Sequence, residues 1–399
     1  MTETEIGSEK QRLMAPRFLW LLAANLGMWI AIGSFYLFPL FVIGMGGTKV
    51  DIGILMGVMP LVSVLVRPWA SEMVDRAGRR PVLAAGCTLM GGAVLACLFF
   101  QGPIASVFYP HLLLRIVFGV GFSLGMVASF TLAADLTPHT RLNEGLGIFG
   151  TMGLLGAALG PITAEWLIFR FGFWALFTGA GIMFGVALIF IALIGAAAAD
   201  PHPARTGSFL ATLRYPAIFW LALIGLCFGI GFAAQGGFVA PYARSKGMLA
   251  STYFAAYSTA AIIARLIGGR LSDRLGERRV IPFALLAGGL GFALLIPIGS
   301  VSGLMAAGFL SGIGHGLIVP TLLAAGVRDI PAQGRGKATG VLTGGLDTGL
   351  SLGSILLGQI GDWFGYPALF ATAVAGMGVG LVLWWLRRLR EISSCEKSP

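Results

Sequence analysis

Charged side chains are scarce in this sequence: Asp, Glu, Lys and Arg together supply 11% of 399 residues, where a soluble domain carries about a quarter. So little charge cannot coat a soluble chain of this length, and a mean hydropathy of +0.87 agrees. Most of the surface must meet hydrocarbon. Histidine and cysteine are rare too, with four of each. His111, His139, His202 and His315 are scattered, and Cys87, Cys97, Cys227 and Cys395 show no pairing or metal-ligand spacing. A disulfide framework and a metal centre are thereby excluded, and the thiols read as small apolar residues. There is no nucleophile elbow, phosphate loop or ATP-binding domain, so the chain is expected to be no enzyme, to hold no cofactor and to draw its energy from a gradient, here a proton gradient. Ten-residue stretches of alternating polarity are also missing, which rules out a β-barrel.

What the chain has instead is long apolar runs. They predict membrane-spanning helices at 18–43, 51–73, 82–101, 108–133, 144–168, 173–195, 216–240, 250–272, 281–300, 302–326, 338–362 and 366–386, each close to the length that crosses the hydrocarbon core. The first run is too long for a cleaved signal core and is read as a mature helix. An even number of spans puts both ends on one side. Most basic residues, including Lys10, Arg76, Arg79, Arg80, Arg141, Arg274, Arg278, Arg335 and Arg388, fall on that side, and only Lys49, Arg170, Arg244 and Lys246 on the other. By the positive-inside rule both termini are cytoplasmic. The net charge of +10 is thus a topology signal spread over short loops, and not a nucleic-acid-binding patch.

The sequence repeats itself. Arg67, Asp75, Arg76, Gly78 and Arg80 recur 198 residues later as Arg265, Asp273, Arg274, Gly276 and Arg278. Pro138, Gly147, Gly156, Gly160, Phe171, Gly172 and Phe177 recur 193 residues later as Pro331, Gly340, Gly349, Gly353, Phe364, Gly365 and Phe370. Two copies of six helices with the same orientation follow. The expected domains are an N-terminal six-helix bundle over 1–195, a polar cytoplasmic linker over 196–215, and a C-terminal six-helix bundle over 216–399 with a short basic cytoplasmic tail.

The loop Asp75-Arg76-x-Gly78-Arg79-Arg80, the element Asp135-x-x-Pro138-x-x-Arg141 and their second-half copies resemble the major facilitator superfamily over essentially the whole chain. Ser71 departs from the glycine usual there, which the second copy keeps as Gly269. The resemblance implies an all-α membrane protein of twelve transmembrane helices in two six-helix repeats, the major facilitator fold. Arg115-x-x-x-Gly119-x-Gly121 resembles the helix-four motif of the family's proton-coupled drug exporters, and Gly156 with Gly160-Pro161 partly matches the antiporter motif of helix five. The activity so implied is secondary transport of a small organic solute, as proton-coupled efflux by alternating access. A proton-linked importer or facilitator of a nutrient is the alternative, and a transporter-like receptor or lipid-handling protein without turnover a remote one. The expected setting is the bacterial cytoplasmic membrane, with the small-molecule substrate and the lipid bilayer as partners, no nucleic acid, and a monomer as the working form.

Candidate residues follow from cost. A charge at membrane depth costs at least about 2.5–3.5 kcal/mol on insertion scales and needs a partner, a wet cavity or a task. Asp347, near mid-helix in the eleventh span, is suited to take up and release a proton. Arg115 and, near the outer end of span five, Glu165 are the other proton-coupling candidates; the alternative for each is a structural contact. Arg67 and Arg265 lie nearer the cytoplasmic side and are expected to snorkel. For substrate contacts, polar and aromatic residues at helical spacing single out Asn25, Trp29, Tyr36, Phe122, Gln235, Phe238, Tyr253, Tyr257 and His315, a set fit for a moderately apolar, aromatic solute, with packing as the bland alternative. A gating latch is expected from Asp75, Arg76, Gly78, Arg79 and Arg80 with Asp135, and in the second half from Asp273, Arg274, Gly276 and Arg278 with Asp329.

Overall fold

The computed structural model describes residues 13–195, 214–328, 330 and 335–395, and these are helical with no strand among them. We label the helices α1 (Pro16–Gly44), α2 (Lys49–Ala77), α3 (Arg79–Phe99), α4 (Ile104–Asp135), α5 (Leu142–Phe171), α6 (Phe173–Leu193), α7 (Pro216–Ser245), α8 (Ala250–Leu275), α9 (Glu277–Leu295) and α10 (Val301–Val327). The stretch Arg335–Cys395 is broken at Gly365 (φ 82°, ψ 177°) into α11 before it and α12 after it. Among the described residues ten stretches are long and apolar enough to span a membrane by length and composition, with α11 and α12 counted together. With the break at Gly365 and with α8, the predicted twelve are all present. The chain is a multi-pass membrane protein.

Helix ends obey local chemistry. Pro16 and Pro216 open α1 and α7 after an extended residue, where the missing N–H is no loss. Ser300 caps α10 by accepting the Gly303 N–H at 3.1 Å. The duplication is legible in the connections. Gly78 (φ 89°) and Gly276 (φ 72°) make the turns into α3 and α9, and Gly172 (φ 88°) and Gly365 (φ 82°) those into α6 and α12. Each is a left-handed turn that a side chain would strain. The repeated glycines are therefore conformational requirements of two like bundles.

By its contacts the chain divides into two compact units. Unit 1 is Met1–Phe41 with Val62–Ala204, and unit 2 is Val42–Leu61 with Arg205–Pro399. The difference from the expected domains is that the first part of α2 counts with unit 2. The expected linker falls largely at 196–213, outside the described residues.

In unit 1, α1 lies against α5 at backbone distance. A Cβ on Gly160 would stand 2.5 Å from the Ile30 carbonyl oxygen, and one on Gly156 2.6 Å from Trp29 Cβ. In unit 2 the same positions one repeat on, Gly349 and Gly353, set α11 against Leu226 and Ile230 of α7. Close approach through small residues is how membrane helices gain packing where lipid offers no hydrophobic drive. Outward, Phe99 (84% exposed) and Phe169 (81%) sit near helix ends, as aromatic side chains do at a membrane interface.

Candidate functional site

The loop after α2 builds a fixed set of contacts in unit 1. The left-handed Gly78 turns the chain so that Arg79 points inward (8% exposed) and its Nε pairs with Asp135 Oδ2 at 2.8 Å, at the end of α4. Arg80 donates through Nε and Nη2 to the carbonyls of Ile191 and Ala192, both at 3.0 Å, satisfying the last turn of α6. Arg76 pairs with Glu72 one turn back at 2.5 Å, and Asp75 is exposed. Arg141 forms a two-pronged bond to Glu144, 2.8 and 2.7 Å. The expected Arg79–Asp135 pair is thus present.

The expected second-half latch is only partly described. Arg278 is exposed, while the side chains of Asp273 and Arg274, and Asp329, lie outside the described residues. The pair observed is Glu277 with Arg328, 2.6 Å. Glu277 is the residue 198 positions after Arg79, and Arg328 the one 193 after Asp135. Unit 2 therefore repeats the contact of unit 1 with the signs exchanged. In both, the residue just after the left-handed glycine is the more buried partner. Matching the copies by residue type hid this correspondence, and matching them by position reveals it.

Arg115 is 4% exposed inside unit 1, its guanidinium carbon 5.5–5.7 Å from the ring centres of Phe35, Phe38 and Phe118. Such faces attract a cation. The box continues through Phe41, Phe177 and His111. Glu165 and Tyr36 are half-buried. Asn25, 3% exposed, donates to the Phe149 carbonyl at 2.9 Å, bridging α1 to α5. Trp29 meets Phe122 edge to face at 6.3 Å, beside Gly153 and Gly156. Gly156 and Gly160 thus serve the α1–α5 contact, with Pro161 buried next to them.

Four of the remaining candidates come together in unit 2. The Tyr253 hydroxyl donates to Gln235 Oε1 at 3.3 Å. Tyr253 stacks on Tyr257 (6.2 Å, 8°), and the Tyr257 hydroxyl bonds His315 Nδ1. Phe232 leans on His315 at 4.7 Å. Phe238 is fully buried on α7. Asp347 is half-buried near the middle of α11, roughly 18 Å from its first residue at 1.5 Å per residue.

One contact went unforeseen. Asp362, at the end of α11, accepts the N–H groups of Lys49 (2.9 Å) and Val50 (3.0 Å), and Lys49 Nζ lies 3.6 Å from it and over the Tyr366 ring. A carboxylate from another helix thereby caps α2, next to the local Thr48–Asp51 cap. We expect Asp362→Ala to cost about 0.5–2 kcal/mol, read as a lower melting temperature of the purified protein. An unchanged melting temperature would remove Asp362 from the cap.

The sequence profile described as Major Facilitator Superfamily matches residues 21–254 and 243–397. The chain is 27% identical over 362 residues to the uncharacterized MFS-type transporter YuxJ of Bacillus subtilis, covering 87% of this chain and 90% of that one. It is 24% identical over 363 residues to Multidrug resistance protein 2 of the same organism, covering 86% and 88%. Among solved structures, the nucleoside transporter NupG superposes with a TM-score of 0.74 at 14% identity, over 93% of this chain and 98% of the other, a likeness of fold.

Proposed function

The chain belongs to the Major Facilitator Superfamily, and from that membership we propose that it exports a small organic solute from the bacterial cytoplasm in exchange for protons, by alternating access. The observation that carries the proton reading is Asp347, a half-buried carboxyl in the body of a spanning helix whose neighbours Gly345 and Gly349 pack tightly on α7. Intramembrane carboxyls are expensive, and proton relays are among the roles that retain them. Arg115 and Glu165 are the accompanying coupling candidates. The export direction is supported by the likeness to Multidrug resistance protein 2 and by the partial helix-five motif Gly156, Gly160 and Pro161. The excess of basic residues in alternate connections supports cytoplasmic termini and the inner membrane of a bacterium.

Everted vesicles energised by respiration and supplied with ethidium test this. Uptake should collapse on adding a protonophore, and Asp347→Asn should lower it to the level of vesicles lacking the protein. Uptake indifferent to both would overturn the coupling. Accumulation of a nutrient by intact cells, lost on deletion, would turn the direction to import.

A further inference from the structure

The last turns of α12 carry arginine at three of four positions, Arg387, Arg388 and Arg390, directly after Trp384-Trp385-Leu386. The positive-inside rule asks only that such charge be present. The structure gives it a fixed place. Arg387 is buried, its guanidinium carbon 5.2 Å from the centre of the Trp384 ring one turn back. Arg390 is exposed and reaches across to α7, its guanidinium carbon 5.1 Å from the centre of the Trp220 ring. The two helices are in contact deeper in the bundle as well, where a Cβ on Gly380 would stand 3.3 Å from Cys227 Cβ. An arginine laid on an indole face keeps its planar fork of N–H donors at one spot.

The face of α12 turned away from the protein is apolar up to that point. Val379, Val382, Trp385, Leu386 and Leu389 are exposed and recur at steps of three and four residues, so they form one continuous strip along the helix. An exposed apolar strip on a membrane-spanning chain lies against acyl chains. At 3.6 residues per turn, Arg388 and Arg390 fall on the two edges of the strip where Leu389 ends it, their Cα atoms about 5 Å apart. On the α7 side Phe219 is exposed too, edge-on to Trp220 at 6.2 Å. Charge is unbalanced here. Residues 380–395 set Glu391 alone against Arg387, Arg388 and Arg390, and 201–220 contain no acidic side chain at all.

We propose that the outward face of α12, with the start of α7, seats an anionic phospholipid, its phosphate between Arg388 and Arg390 and an acyl chain along Leu389, Trp385 and Val382. The lipid belongs to the leaflet at the end where α12 finishes. A zwitterionic lipid meets the same strip but brings no net charge to the two guanidinium groups, which sets the preference for an anionic head group. The seat is independent of the cargo and coupling proposed above, and either can fail without the other.

Purified full-length protein is placed in nanodiscs of phosphatidylcholine alone or of equal parts phosphatidylcholine and phosphatidylglycerol. Melting temperature and the phospholipid retained in native mass spectrometry are followed. Phosphatidylglycerol should raise the melting temperature and be retained in preference to phosphatidylcholine. Arg390→Gln and Arg388→Gln should each weaken that preference about fivefold, the scale of one basic residue at an anionic surface, and Arg388→Gln serves where Arg390→Gln does not fold. Arg278→Gln removes an exposed charge from the same end of unit 2 and should leave the preference nearly intact. Equal losses in all three variants would reduce the effect to a count of charges and overturn the seat. Indifference to phosphatidylglycerol would overturn it too, as would equal stabilisation by free glycerol phosphate added to phosphatidylcholine discs, which would give the arginines to a soluble anion.

Discussion

Gly160→Ala is expected to lower the yield of monodisperse protein, although it adds a single methyl group. The new Cβ would fall 2.5 Å from the Ile30 carbonyl oxygen and 2.6 Å from the Ser34 nitrogen, and both belong to backbone, so no rotamer change relieves the clash. α5 must back away from α1 along its length, loosening Trp29 against Gly153 and the Asn25 bond to Phe149. Overpacking of this kind costs about 1–3 kcal/mol, occasionally more, and about 1.4 kcal/mol is already a factor of ten in population. Gly349→Ala should behave alike, because its Cβ would run into the Leu226 carbonyl oxygen. The control is Gly185→Ala on α6, where nothing lies within 4 Å of the added carbon; its fold should be unchanged or slightly firmer, as an alanine suits a helix better. Fluorescence-detected size exclusion of the three variants checks this. Equal monodisperse yields for Gly160→Ala and Gly185→Ala would mean that the α1–α5 contact is not set by glycine.

These positions show what the sequence made legible. Apolar runs set the spans because lipid leaves the backbone only helices, and the recurrence of Gly78 and Gly172 as Gly276 and Gly365 marked turns that no other residue enters cheaply. Arg79 with Asp135 was legible because opposite charges at two adjoining helix ends must find each other. The structure adds facts that depend on which residues face one another. Asp362 caps a helix more than 300 residues before it, a pairing invisible to spacing. Arg115 carried a motif, yet the three phenylalanines around it come from α1 and α4 and converge only on folding. Tyr257 and His315 were singled out one by one, and their bond needed coordinates. The Glu277–Arg328 pair was missed for a different reason: duplicated contacts preserve geometry and attraction, and either holds with the signs exchanged.

That exchange yields the other strong expectation. Arg79→Glu places two carboxylates where an ion pair stood and should destabilise the protein by roughly 2 kcal/mol, less than the about 3–5 kcal/mol of a fully buried pair because Asp135 is 40% exposed and water screens it. Asp135→Arg should fail similarly, with two guanidinium groups facing each other. The double variant Arg79→Glu/Asp135→Arg should recover most of the loss, since Glu277 with Arg328 shows that the same turn and helix end accept the reversed pair. A double-mutant cycle on melting temperatures isolates the coupling between the two side chains. Transport in the same variants then separates two roles for the loop. Reversal keeps the number of positive charges at that end of the bundle, so topology by charge count is untouched in the double variant and the charge bias is reduced in Arg79→Glu. A latch needs the attraction, and uptake should return with it in the double variant. If the double variant folds but stays silent, the sign at position 79 matters beyond its partner, and the pair is more than a clasp between α3 and α4.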